Sequence, residues 1–170
     1  MAAARTSIRF AVSDCSLGSV LVGATENGVC TILLGDGSKA LVRELKESFP
    51  KATLVGGSEE LGSLVAKVVG FVEAPTRPLG LPLDLQGTAF QQRVWQALRE
   101  IPVGSTVSYT EIAKRIGTPK AVRAVAQACA SNTIAVAIPC HRVVCKGGAL
   151  CSYRWGVERK RALLHREGSI

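Results

Sequence analysis

The sequence predicts an α+β fold, with a small first half built from a short β-sheet and helix and a mainly helical second half. Three observations carry that expectation. Residues 7 to 34 read as strands around an Asn27-Gly28 turn, apolar residues recur at helical spacing from Thr88 onward, and Pro75, Pro78, Gly80 and Pro82 fall within eight positions between the two. Such a cluster holds a chain extended or turned. It sets the expected division into an N-terminal α/β structural domain with linker (1–80) and a helix-turn-helix-containing domain (81–170).

Each element has a local reason. Ile8 to Val12, Ser19 to Thr25 and Val29 to Leu34 are strand-like runs, and Glu26-Asn27-Gly28 between the last two is a hairpin signal. Ala40, Leu41, Leu45 and Phe49 lie near helical spacing and Pro50 closes that segment. A second helix is expected near Glu59 to Phe71. Leu83-Asp84-Leu85 reads as a short strand, and Thr88 is placed to cap a helix carrying Phe90, Val94, Trp95 and Leu98 up to Ile101-Pro102.

Residues 108 to 126 have helix-turn-helix spacing. A short helix stops at Gly117, Thr118 is placed to cap, and Pro119 suits a first helical turn, so a second helix is expected to follow at once with Lys120 and Arg123 on it. Ala121, Ala124 and Ala128 give this helix a small face that lets a backbone approach another surface. A tightly packed helical hairpin fits the same pattern.

Charge separates the halves. Residues 1 to 85 hold 8 basic and 9 acidic side chains, and residues 86 to 170 hold 13 and 4, so −1 faces +9 within an overall +8. That asymmetry favours a polyanionic partner, although a solvated basic face has the same composition. With 47% hydrophobic and 20% charged residues the chain falls outside the disordered and fibrous classes. Met1 to Arg5 lead into no long apolar run, and no stretch approaches the roughly 20 apolar residues that span a bilayer. The expectation is a full-length, cytoplasmic chain without a membrane segment. The six cysteines, without a secretion signal, are poor evidence for disulfides.

Ile138-Pro139-Cys140-His141-Arg142-Val143-Val144 is an apolar run broken by a thiol and an imidazole. Flanked by His141 and Arg142, Cys140 is either a nucleophile in an electropositive turn or an inert core thiol. Direct contact between neighbours does not follow, because successive side chains of an extended segment point apart. A bound water is the alternative proton carrier. The cysteine spacing lacks a finger-type zinc pattern, so no metal and no cofactor are expected.

The Pro139-Cys140-His141-Arg142-Val143 run, the upstream Asn132, the helix-turn-helix with Arg123, and Tyr153-Arg154-Trp155-Gly156 with Glu167 together resemble the O6-alkylguanine-DNA alkyltransferase family, most of all the C-terminal domain of bacterial adaptive-response proteins. The likeness runs from about Ser7 to the end. It implies a ribonuclease H-like first domain, a winged-helix-like second one, and direct-reversal DNA repair. In that chemistry an alkyl group, chiefly methyl, passes irreversibly from O6-alkylguanine, and from O4-alkylthymine, to a protein cysteine, one lesion per molecule. The implied partner is double-stranded DNA held through its minor groove by a monomer, nucleoid-associated when bound.

Residue by residue, the resemblance makes Cys140 the acceptor, His141 the base acting through water, Glu167 the carboxylate that orients it, and Asn132 the amide that pins the turn. Tyr109 resembles the donor to guanine N3. Arg123 resembles the arginine that fills the space of the extruded nucleotide, with Thr118, Lys120, Ala121 and Ala124 beside it on the DNA. Ser152, Tyr153, Arg154, Trp155 and Val143 are expected to line or support the pocket, Trp155 equally as core behind it. Arg142 is expected in an ion pair, Lys160 and Arg161 on a solvated helix face, and His165 at the surface.

Departures matter as well. Some relatives hold zinc in the first domain with two cysteines and two histidines, whereas this chain has no histidine before His141. Cys151-Ser152 stands where relatives often have glycine before the tyrosine, which narrows the loop or alters preference for bulky alkyl groups. Cys145 and Cys151 are further sites of oxidation or damage. Separate phosphotriester-repair and activator regions are not expected, which weakens a regulatory role. The competing readings are a non-catalytic binder of alkylated DNA, whose mark is loss of the cysteine, a helix-turn-helix regulator, and a cysteine hydrolase.

Overall fold

The computed structural model describes residues 6–57, 59–76 and 78–170. Stretch 1–5, on which the reading of the N-terminus rests, and positions 58 and 77 lie outside the described residues. The architecture is α+β as expected, with a sheet-and-helix region ahead of a predominantly helical one.

Strands β1 (Ser7–Cys15), β2 (Gly18–Thr25), β3 (Gly28–Gly35) and β4 (Thr53–Gly56) form one sheet in the order β3-β2-β1-β4. The first three are antiparallel, and β4, a strand the residue pattern does not announce, joins β1 in parallel. Gly28 opens β3 rather than completing the turn. Its φ of +143 and the Pro82 carbonyl 2.7 Å from where a Cβ would sit both require glycine. All but the first residue of β2 are buried, so both faces of this central strand are covered. Helix α1 (Ser38–Ser48) packs on β2 and β3 through Leu41 and Leu45. Helix α2 (Glu59–Glu73) packs on β1 and β2 and buries Leu61, Val65, Val68, Phe71 and Val72.

Beyond the proline cluster, α3 (Ala89–Arg99) starts with the Thr88 capping box, completed by Gln91. Trp95 donates from its indole to the Ala128 carbonyl at 2.9 Å, tying α3 to α5 (Val122–Ala130). Ser108 caps α4 (Tyr109–Arg115). The two-residue strands β5 (Val107–Ser108) and β6 (Val143–Val144) pair in parallel, and α6 (Val157–Arg166) ends the fold.

The helix-turn-helix differs from expectation at its turn. Thr118 does not cap: its hydroxyl is buried without a hydrogen-bond partner among the described residues, and α5 begins only at Val122, with Ala121 at the N-cap. Lys120 therefore lies in the turn. Pro119 still fits, because a proline just ahead of a helix forfeits no internal hydrogen bond.

The outer edge of β3 is taken by the second half. Ile32 N–H donates to the Thr133 carbonyl and Ala135 N–H to the Ile32 carbonyl, both at 2.9 Å, and Val29 exchanges bonds with Pro82 and Asp84 at 2.8 Å. Leu83 pairs with Val29 only as an isolated bridge rather than a strand. One apolar core runs through both halves.

Candidate active site

The segment following α5 is shaped by Asn132, which is fully buried. Its Oδ1 accepts from Ile134 N–H at 2.8 Å, and its Nδ2 donates to the Ile138 carbonyl at 3.0 Å and to Cys140 Sγ at 3.3 Å. A single amide thus closes the loop from 132 to 140. Within it Val136 adopts φ +59, a costly conformation for a β-branched residue, kept by the surrounding bonds.

Cys140, His141 and Arg142 form a 3₁₀ turn, not an extended segment. His141 is fully buried. Its Nε2 lies 2.9 Å from Glu167 Oε2, and its buried Nδ1 has no hydrogen-bond partner among the described residues. Arg142 donates from Nε and Nη2 to the two Glu167 oxygens at 2.9 Å each, and from Nη1 to the Ile101 carbonyl at 2.7 Å. The ion pair expected of Arg142 is present, and it shares the carboxylate that orients His141.

The electrostatics follow from this packing. Burial would raise the Glu167 carboxyl, but hydrogen bonds from His141 and Arg142 hold it down at about 2. Burial lowers the His141 pKa despite Glu167, so the imidazole is neutral at pH 7. With its Nε2–H donated to Glu167, the Nδ1 lone pair is the open proton acceptor. Burial pushes the Cys140 thiol up to about 11, opposed first by the Asn132 amide and then by the Lys160 charge. At rest the balance favours the protonated thiol: dehydration outweighs the positive groups, and His141 and Arg142 are bound to Glu167.

Lys160 overturns a second expectation. It is fully buried, and its Nζ donates to the Val143 carbonyl at 2.6 Å and the Ser152 carbonyl at 3.5 Å. The signal was in the sequence: Lys160, Leu163, Leu164 and Glu167 are spaced i, i+3, i+4, i+7 and share one buried stripe of α6 and its cap. Arg161 and His165 are exposed, as expected.

Cys140 opens onto a cavity of about 150 Å³. Tyr109, Ser152, Tyr153 and Arg154 line it together with Ala126, Cys129 and Ala130 of α5, the last three absent from the sequence expectation. Val143 and Trp155 do not line it. Val143 is fully buried, and Trp155 stands behind with Tyr153 edge-on at 5.3 Å. Burial raises the Tyr109 phenol to about 12, so it stays a donor at neutral pH. Arg123, exposed on α5, sits three residues before Ala126 and seven before Ala130, on the helical stripe that faces the cavity. Lys120 is exposed, and Ala121 and Ala124 are half-buried.

Cys145 and Cys151 are joined as a disulfide, with Cα atoms 5.8 Å apart, across an exposed loop containing Gly147 and Gly148. The even cysteine count alone was poor evidence for such a pairing. Among the described residues no group of three or more His, Cys, Asp or Glu converges as metal ligands, and no helix is long and apolar enough to cross a membrane.

Residues 89–169 match the profile of the 6-O-methylguanine DNA methyltransferase DNA-binding domain, a span that includes Tyr109, Asn132, Cys140, His141 and Glu167. Mycobacterium leprae methylated-DNA–protein-cysteine methyltransferase is 41% identical over 139 residues, 80% of this chain and 84% of that one. The chain belongs to the 6-O-methylguanine DNA methyltransferase family. Escherichia coli K12 Ada, a bifunctional transcriptional activator and DNA repair enzyme, is 53% identical to this chain over 160 residues, 94% of the present chain and 45% of Ada. The chain thus spans about half the length of the first curated relatives it matches. The chain aligns with Mycobacterium tuberculosis OGT crystallised with DNA at a TM-score of 0.79 and 34% identity, covering 95% and 93% of the two chains.

Proposed function

We propose that this chain repairs alkylated double-stranded DNA by irreversible, stoichiometric transfer of an alkyl group, chiefly methyl, from guanine O6 to Cys140, with O4-alkylthymine as a second substrate. The observation that carries this reading is one constellation: a thiol held by Asn132 at the wall of a small cavity, followed in the same 3₁₀ turn by a neutral imidazole whose Nε2 is bound to a buried carboxylate.

Guanine O6 in a duplex is stacked and paired, so in-line attack on its alkyl carbon needs the nucleotide turned out of the helix at a cost of a few kcal/mol. Arg123, on the cavity-facing stripe of α5, is the side chain proposed to fill the gap. The small residues Ala121 and Ala124 suit close approach in the minor groove, where Thr118 and Lys120 flank the contact. The Cys140 proton passes to His141 Nδ1, relayed by water, and Glu167 stabilises the imidazolium that forms. Sγ then bonds to the alkyl carbon as the carbon–O6 bond breaks, and the electron pair leaves on the guanine, aided by a hydrogen bond from Tyr109 to N3. A thioether has no hydrolytic exit, so each molecule acts once. We further propose that the chain acts as a monomer and that the stretch near residue 80 separates a structural domain from the transferring one.

The test is intact mass and peptide mapping after incubation with a short duplex carrying O6-methylguanine. One methyl group is expected, confined to Cys140 and stopping at one equivalent. Cys140→Ser is expected to bind the duplex without gaining mass. Absence of transfer, or continued product release, overturns the proposal.

A further inference from the structure

Among the described residues, the first half touches the cavity lining through Glu44, which is bonded to Arg154. Glu44 lies on α1 between the buried anchors Leu41 and Leu45, and its Oε1 accepts from Arg154 Nη2 at 3.2 Å across 110 residues of sequence. The same guanidinium donates from Nη1 to the main-chain carbonyl of Asn132 at 3.2 Å and lies 5.6 Å from the centroid of the Trp155 ring. Arg154 also lines the cavity with Cys140. It is therefore held by a carboxylate from one half, a carbonyl from the other and an aromatic face.

Each contact constrains a group that matters to the thiol. An arginine side chain has many rotamers, and confining it costs entropy that its contacts must offset. The Glu44 and Arg154 side chains are 30% and 23% exposed, so solvent and salt screen their attraction only in part. Asn132 receives the restraint at its backbone and passes it on, since its side-chain amide is the hydrogen-bond donor to Cys140 Sγ. α1 is well placed as an anchor because Leu41 and Leu45 seat it on the sheet, and that sheet is joined through Ile32 to Thr133 and Ala135, the loop next to Asn132.

We propose that Glu44 is a positioning residue for alkyl transfer, holding Arg154 across the Asn132 carbonyl and so fixing both the cavity rim and the Asn132–Cys140 contact. The inference rests on the alkyl-transfer reading of the site. It gives the sheet-bearing half a part in the chemistry without contact between Glu44 and the reacting atoms. The Arg154 charge adds a small field at Cys140 that favours the thiolate.

The experiment uses the full chain and the variants Glu44→Gln, Glu44→Asp, Arg154→Met and the Glu44→Gln/Arg154→Met pair. Three quantities are measured: the single-turnover rate on the O6-methylguanine duplex at saturating protein, duplex affinity by anisotropy, and the pH dependence of Cys140 alkylation by iodoacetamide, followed by peptide mapping. Glu44→Gln is expected to slow transfer about twofold to fivefold, the range of a partly screened ion pair. Duplex affinity should stay within about twofold, and the iodoacetamide profile should move to higher pH, which a purely structural role would not cause. Glu44→Asp should recover part of the rate. In the Arg154→Met background, Glu44→Gln should add nothing. A wild-type rate and profile in Glu44→Gln, or the same slowing with and without Arg154, overturns the inference. If the unsubstituted protein transfers no methyl group, it is the alkyl-transfer reading that fails, and the iodoacetamide profiles still decide whether Glu44 acts on Cys140 through Arg154.

Discussion

The Asn132 side chain donates from Nδ2 to the sulfur of Cys140 at 3.3 Å while its Oδ1 accepts from the main-chain N–H of Ile134. The residue that folds the loop is thus the one that touches the thiol. Local structure and reactivity cannot be varied independently here.

Replacing Asn132 with alanine should therefore change two observables together. The buried Ile134 N–H loses its acceptor, at a cost of about 1–3 kcal/mol read from urea denaturation. Cys140, already raised to about 11 by burial, loses the first of the groups that lower it. In the unsubstituted protein Cys140 alkylation by iodoacetamide should climb about tenfold per pH unit between pH 7 and 9, following the thiolate fraction. In Asn132→Ala the same line should lie lower. A plateau before pH 9 would show that the thiol is not held up by burial.

Acid should weaken the fold through Glu167. Its carboxyl sits at about 2 in the folded chain against an ordinary value of 4.5. The depressed value means that the folded state favours the carboxylate, so this stabilisation is complete above about pH 5 and is lost as pH falls toward 2. The amount at stake is about 3 kcal/mol. Glu167→Gln should be destabilised by about 3–5 kcal/mol at pH 7, because Arg142 is left buried without its carboxylate. Thermal melts from pH 5 to 2.5 should fall less steeply for the variant than for the parent.

Lys160→Met separates charge from packing. The methionine fills a similar volume but removes the donor to the Val143 carbonyl and the positive charge that favours the Cys140 thiolate. Losing the hydrogen bond destabilises, while escaping the desolvation of a buried ammonium stabilises, so unfolding free energy should change by no more than about 1 kcal/mol. Reactivity has no such compensation. Cys140 alkylation at pH 8 should slow several-fold, and a rate equal to the parent would remove Lys160 from the electrostatics of the site.

Sequence patterning was most legible where one local rule decided the outcome. The Thr88 cap, the Leu41 and Leu45 face and the two strands flanking Glu26-Asn27 are each fixed by neighbours in the chain. It was least legible where partners come from far away. β4 is four residues long and held by β1 about 45 positions earlier, and Glu44 looks like any surface acid until Arg154 arrives. Lys160 was misread from residue type alone, although the stripe it shares with Leu163, Leu164 and Glu167 marks it as inward-facing. The start of α5 was set too early because Thr118 and Pro119 have the chemistry of a helix start, yet the tight turn engages the Thr118 main chain and not its hydroxyl. The Cys145–Cys151 pairing depends on a Gly147-Gly148 turn that brings the ends of a short loop together, which composition does not reveal.

The bonds from Ile32 to the Thr133–Ala135 segment, and from Val29 to Pro82 and Asp84, have a consequence for solubility. An open sheet edge invites pairing with another chain. At β3, a strand made almost entirely of apolar residues, that invitation is answered from within the molecule, and the opposite edge, β4, is only four residues long. Severing the chain near residue 80 would bare the β3 edge and leave a sheet prone to stacking on copies of itself. The loop that carries Asn132 and Cys140 therefore also covers the edge at which this sheet would otherwise pair with another chain.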